Sequence, residues 1–269
     1  MTNRKELPDI IHDALGQLHL PGMQQEYRYQ IDNLSVKGEL SFDERMQELV
    51  TTELTRRENN RLKKFLSEAH PFNPTACVEN VDVLPQRKMN MELFRSLATC
   101  RFIEEKRNVA FVGAAGSGKT YLASALVNAA CRKGYRSCCV RLPDLLNDLR
   151  FARMQGTASK ARDAFKKYRL LAIDEWLSVP ITFDFSVELW DIVDSLRGKS
   201  SLIFCTQYTT SEWYRRIDVN RAEGTNSALT ESVLDRILYN MDTLSIETEE
   251  SLRKTYTVDS KKKENQDGK

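Results

Sequence analysis

Residues Gly113-Ala114-Ala115-Gly116-Ser117-Gly118-Lys119-Thr120 place two glycines, a lysine and a threonine at the spacing G-x-x-x-x-G-K-[ST]. Each position has a chemical reason. Glycines let a backbone fold tightly enough for its N–H groups to converge on an anion. Lys119 puts a point charge where β- and γ-phosphates would lie, and the Thr120 hydroxyl is a ligand suited to Mg²⁺. Apolar text at Asn108–Val112 precedes the stretch, and a helical pattern from Thr120 to Lys133, closed by Gly134, follows it. A helix starting there aims its positive end at the phosphates. Gly113 to Thr120, with Tyr121 directly after them, therefore read as the residues that bind a nucleoside triphosphate.

A second constellation lies at Leu170-Leu171-Ala172-Ile173-Asp174-Glu175. An apolar strand ending in Asp is where a Mg²⁺-holding carboxylate sits behind a phosphate loop. Glu175 beside it can polarise an attacking water as a general base. A simple phosphotransferase has no need of that glutamate, whereas a hydrolase does. A third apolar strand, Ser201–Thr206, should lie beside the other two. Ligands of open sheets bind at the carboxyl ends of the strands, so Gln207 or Thr206 could orient the lytic water.

These residues need a scaffold. Strand text at 108–112, 136–141, 170–173, 201–206 and 243–247 alternates with helical text, which predicts a parallel sheet covered on both faces. Ahead of it, residues 1–70 read as a small all-helical domain. Ile10, Ile11, Leu15 and Leu18 recur at helical spacing before Leu20-Pro21-Gly22, read as a break. A short helix follows over Met23–Leu34. Ser41 and Glu44 have the spacing of a capping box, opening a helix that runs to about Ala69. His70-Pro71 ends it. Residues 71–90 read as a linker, 91–258 as the nucleotide-binding domain, and 259–269 as a polar, disordered tail.

The 269 residues carry 41% hydrophobic side chains, enough for a buried core, and 40 Lys+Arg against 38 Asp+Glu. A net charge of +2 makes no global basic field, so any nucleic-acid contact must come from local clustering. The densest cluster outside the N-terminal helix is Arg150, Arg153, Lys160, Arg162, Lys166, Lys167 and Arg169, with Asp163 as the one acid among them. It reads either as a face that binds the DNA backbone in a salt-sensitive way or as a solvated helix surface. No aromatic ladder accompanies it. The same two readings apply to Arg56, Arg57, Arg61, Lys63 and Lys64. Six cysteines without a C-x-x-C pair read as small reduced hydrophobes, and three histidines offer no zinc spacing. No apolar run approaches membrane-spanning length, so a soluble, cytoplasmic protein is expected.

Taken in order, the phosphate loop, Asp174-Glu175, Thr206-Gln207-Tyr208 followed by Glu212-Trp213, and Leu234-Asp235-Arg236-Ile237-Leu238 resemble the IstB family. These are the AAA+ helper ATPases of IstA/IstB-type insertion sequences, cousins of the DnaC-type helicase loaders. Leu20-Pro21-Gly22-Met23, Ser41 to Arg45, Arg56 to Leu62 and Arg101-Phe102-Ile103-Glu104 extend the resemblance over about residues 8–256. It implies an AAA+ α/β domain behind a helical one. It also implies Gln207 at the sensor-1 position, with Thr206 as fallback. Arg236 would be an arginine finger acting in trans on a neighbouring subunit's nucleotide. Arg253 would be a sensor-2 residue acting on its own. The implied activity is hydrolysis of ATP with Mg²⁺ by a ring or helical homo-oligomer on duplex DNA, which delivers target DNA to an IstA-type transposase. A DnaC-type replicative helicase loader is the alternative.

Overall fold

The computed structural model describes residues 6–83, 87–217 and 228–248. The chain divides into two compact units at Lys64 and Phe65.

The first unit is helical: α1 (Leu7–Gln17), α2 (Pro21–Asp32), α3 (Leu34–Lys37) and the larger part of α4 (Phe42–Ala69). The expected capping box is present, with the Ser41 N–H donating to Glu44 Oε2 at 2.8 Å and the Glu44 N–H to Ser41 Oγ at 3.3 Å. Leu20-Pro21-Gly22 is less a break than a start. Pro21 is the first residue of α2, where its missing N–H costs nothing. The free N–H groups of Gly22 and Met23 are met by Glu53 Oε2 of α4 at 2.6 and 3.3 Å. Arg57 binds the other Glu53 oxygen at 2.7 Å, and these bonds hold the Glu53 carboxyl below the usual carboxylate range.

The second unit contains β1 (Arg87–Lys88), α5 (Met91–Ala98), α6 (Arg101–Glu104), β2 (Asn108–Gly113) and α7 (Lys119–Arg132). There follow β3 (Ser137–Arg141), α8 (Leu142–Met154), α9 (Ala158–Phe165), β4 (Leu170–Asp174) and α10 (Phe183–Leu196). The last elements are β5 (Ser201–Thr206), α11 (Thr210–Arg216), α12 (Ala228–Leu238) and β6 (Met241–Thr248). The sheet order is β1-β6-β2-β5-β4-β3. All neighbours are parallel except β1, which runs antiparallel to β6. The five parallel strands expected from the sequence are therefore present, covered by helices.

β5 lies between β2 and β4, pairing Val112 with Thr206 and Ile173 with Phe204. This brings the carboxyl ends of three strands together. Residues on these strands are almost wholly buried, which explains their continuous apolar text. Trp176, Phe204 and Trp213 stack beneath the site with ring centroids 4.5 to 5.6 Å apart. Asn108 is the polar exception. Its amide donates to Ile237 O at 2.8 Å and accepts from the Leu202 N–H at 2.9 Å, tying α12 and β5 to the root of β2.

The stretch read as a linker carries its own structure. Residues Val78–Val83 form a 3₁₀ turn and Arg87–Lys88 an edge strand. Asn128, buried on α7, donates to the carbonyls of Pro74 and Ala76 at 3.2 and 2.9 Å, and Ser124 Oγ accepts the Asn73 N–H.

Candidate active site

The loop Gly113–Thr120 leaves β2 and enters α7. Gly118 caps that helix at φ 91°, a left-handed conformation natural to glycine. Gly113 is needed for a different reason: a Cβ there would sit 2.5 Å from Ile246 O and 2.9 Å from Ser117 Oγ. The Lys119 ammonium donates to Gly113 O at 2.8 Å and Ala114 O at 2.7 Å, so it folds back across the loop it must serve. Ser117 Oγ is buried within the loop and has no hydrogen-bond partner.

Thr120 and Asp174 meet as their spacing required. Thr120 Oγ1 donates to Asp174 Oδ2 at 2.9 Å, and Asp174 Oδ1 accepts the Glu175 N–H at 2.9 Å. Asp174 is 8% exposed. A hydroxyl and a carboxylate oxygen sharing one point are hard donors of the kind Mg²⁺ takes. The set therefore fits the ion, although among the described residues no group of three His, Cys, Asp or Glu forms a metal cluster.

Glu175 behaves differently from its neighbour. The chain turns sharply after β4, with Glu175 at φ 55° and Leu177 at φ 54°. Non-glycine residues rarely adopt this conformation, and such strain gathers at functional sites. The turn is pinned by the Trp176 N–H donating to Cys205 O at 2.9 Å. It sends the Glu175 carboxylate outward, 47% exposed, where Arg141 Nε lies 3.7 Å from Oε1. Arg141 ends β3, opposite Asp174 in register. The sequence reading did not find this partner, since nothing in a single arginine marks it.

The choice between Thr206 and Gln207 has a geometric answer. Thr206 is 2% exposed. Its hydroxyl donates to Trp176 O at 2.9 Å and accepts the Tyr208 N–H at 3.1 Å. Gln207 is exposed and lines the cleft. That cleft, of about 890 Å³, also includes Lys119, Thr120, Tyr121, Asp174 and Glu175. Phe72, Asn73, Thr75 and Asn80 form another wall of it, which the sequence reading missed. The available signal was Ser124 and Asn128, two buried polar residues in an otherwise apolar helix, which demand backbone partners. Cys205 lies beneath, and burial pushes its thiol well above the usual range.

Arg236 and the basic stretch lie elsewhere. Arg236 on α12 faces a separate cleft with Lys106, Arg197 and Tyr239. Its Nε lies 3.2 Å from Asp194 Oδ1, and the guanidinium binds Ser232. Arg253 lies outside the described residues. The basic stretch is partly neutralised: Arg153 pairs with Glu188 at 3.0 Å, Arg162 with Asp191, and Lys166 with Asp163 at 2.6 Å. Glu188 and Asp191 lie on α10, so reading the stretch by itself overstated its free charge. Arg150 and Lys160 form no ion pair among the described residues, and Lys167 lies over the Tyr168 ring at 4.9 Å.

Arg141→Ala is expected to raise basal turnover about two- to fivefold, the worth of one half-exposed ion pair holding Glu175. Steady-state phosphate release measures it, and a fall would mean that Arg141 serves the nucleotide instead.

The family of IstB-like ATP-binding proteins matches this chain over residues 13–260. An ATP-binding protein of insertion sequence IS1162 from Pseudomonas fluorescens is 32% identical over 197 residues, spanning 73% of this chain and 85% of that protein. One of insertion sequence IS232 from Bacillus thuringiensis is 28% identical over 86% of this chain and 89% of its own length. Among solved structures, a DNA replication initiation factor superposes with TM-score 0.54 at 19% identity, over 72% of this chain and 56% of that one. DnaI does so with TM-score 0.53 at 18% identity, over 69% of this chain and 94% of its own. These two likenesses establish the fold, an AAA+ P-loop domain. With its phosphate loop and paired carboxylates, the chain belongs to the IstB-like ATP-binding proteins and is an ATPase.

Proposed function

We propose that this ATPase assembles on duplex DNA as a ring or helical homo-oligomer and delivers that DNA to the IstA-type transposase of its insertion sequence. The observation that carries the assembly is the separation of two clefts: Lys119, Asp174 and Glu175 line one, and Arg236 the other. An arginine outside its own nucleotide cleft suits a cation offered to a neighbour. The insertion-sequence role is supported by relatives of whose lengths the chain covers 85% and 89%.

In the proposed chemistry Lys119 and the loop amides hold the β- and γ-phosphates. Thr120 and Asp174 would hold Mg²⁺, which supplies charge neutralisation on the phosphoryl oxygens. Gln207 orients a water and Glu175 accepts its proton as the water oxygen bonds to the γ-phosphorus. The bond to the bridging oxygen breaks, giving ADP and phosphate. Thr206 shapes the strand end, while Arg253 remains a candidate for contact with the nucleotide of its own chain. Residues 1–70 are proposed to contact neighbours or the transposase, 71–90 to link, and 91–258 to form the ATPase domain. Among the described residues no helix is long and apolar enough to cross a membrane, and we place the protein in the cytoplasm with its DNA.

ATP turnover and particle size, read together with and without duplex DNA at two salt concentrations, test the proposal. Duplex DNA with ATP is expected to produce a large particle with faster turnover, and salt to weaken both. Stronger stimulation by single-stranded DNA would favour a helicase loader. A monomer indifferent to DNA would end the assembly reading and leave the nucleotide site alone.

A further inference from the structure

Helix α4 turns Leu49 and Glu53 inward, where both are buried. Beside them lie Met46, Val50 and Leu54, which are 37%, 42% and 56% exposed. Four residues apart, they form one ridge along the helix. Single exposed apolar residues are ordinary, but a row of three, with Phe42 exposed at its head, marks an interaction surface. At 3.6 residues per turn the same side also carries Asp43 at one end and Arg57, Arg61 and Lys64 at the other. Glu58 stands at its border. Asp43, Arg61 and Lys64 form no ion pair among the described residues, and Arg57 stays more than half exposed although it binds Glu53. Glu44 and Glu48 lie away from the ridge and are engaged within the unit: Glu44 caps α4 with Ser41, and Glu48 binds Lys37 at 2.7 Å.

We propose that this ridge binds the same ridge of a second copy of the chain, the two α4 helices running antiparallel and crossing at Val50. A side that is acidic at one end, basic at the other and apolar between complements itself when turned end for end. Centred on Val50, one two-fold axis sets Val50 beside its own copy, Met46 against Leu54 and Asp43 beside Arg57. Ridges of residues four apart interlock when helices cross at about 50°, the commonest helix packing. Duplex DNA complements the arginine end alone and has nothing to offer Asp43 or the apolar row. The inference rests on the proposed assembly and names a contact for its helical unit. It is distinct from the head-to-tail contact of Arg236, because a two-fold contact closes on itself. Interfaces below about 1,200 Å² in total are weak, so this one works inside an assembly, where neighbours are held at high local concentration.

The test uses the full chain. A short bis-maleimide is expected to join the Val50→Cys chain into covalent dimers, both alone at high concentration and with ATP and duplex DNA, well beyond the unaltered protein with its six cysteines. Val50→Lys and Val50→Asp should each weaken self-association about tenfold or more, because each brings like charges together at the axis. Sedimentation velocity without ATP or DNA measures this, in the absence of the Arg236 contact. An equimolar mixture of the two variants should regain the association, since lysine then meets aspartate. Val50 is not buried, so both variants should fold, and unchanged basal ATP turnover reports it. If the Val50→Cys chain is joined but ATP and duplex DNA give no large particle, the ridge contact stands and the assembly reading falls. If the large particle forms while the Val50→Cys chain stays unjoined in it, or the mixture is as weak as its components, the two-fold pairing is wrong and the ridge serves another partner such as the transposase.

Discussion

Glu175→Gln is expected to lower ATP turnover by about 10²–10⁴-fold while nucleotide binding survives. The expectation follows from how differently the two adjacent carboxylates are housed. Asp174 is buried, with one oxygen on Thr120 and the other on its neighbour's N–H. Glu175 is half exposed, and the ion partner that the structure gives it is Arg141. An amide in its place keeps size and reach but cannot accept the water's proton. Steady-state phosphate release and equilibrium binding of a fluorescent ATP analogue would separate the two effects. Unchanged turnover would mean a nucleotide-gated scaffold whose Glu175 does no chemistry. Loss of binding along with turnover would mean that Glu175 belongs to the phosphate site. The substitution should leave folding intact, because the side chain is half exposed and its ion pair is worth at most about 1 kcal/mol.

The parts of this site that were legible in the sequence are those in which local chemistry leaves little choice. Gly113 and Gly118 are required by close approach and by a left-handed cap, and Lys119 and Thr120 follow at fixed spacing. Four strands could be read because buried parallel strands leave largely apolar runs, and β6 because the buried Leu244 and Ile246 alternate with polar residues. What escaped was whatever depends on residues distant in the chain. Arg141 faces Glu175 only because β3 pairs with β4 in register. Arg153 and Arg162 look free in the sequence but are paired with α10. The stretch 71–83 had too little periodicity to read, yet Asn128 and Ser124 bind its backbone to the helix that carries the phosphate loop. Pro21 shows the limit of a punctuation rule: the same proline that ends one helix can open the next.

The complementary expectation concerns the other cleft. Arg236→Ala is expected to lower turnover of the DNA-bound assembly by about 10³–10⁵-fold, the range of an arginine finger. The unassembled protein's affinity for ATP should not change, because Arg236 is absent from its own nucleotide cleft. Its present contacts, Asp194 at 3.2 Å, Ser232 and the Trp190 ring at 5.5 Å, are partly exposed and worth about 2–3 kcal/mol together. The melting temperature should therefore fall by only several degrees. The helix that carries it is anchored, through Ile237 O and Asn108, to β2, the strand that ends in the phosphate loop. A finger built this way is placed by the same rigid element as its own chain's site. The decisive measurement is a mixture of Arg236→Ala with Glu175→Gln. The first supplies an intact catalytic carboxylate and the second an intact arginine. In a head-to-tail assembly roughly a quarter of the interfaces would combine the two, and turnover should reappear in the mixture although neither variant shows it alone. A mixture as inactive as its components would show that Arg236 acts within its own chain or only as a structural contact. The two clefts would then be unconnected.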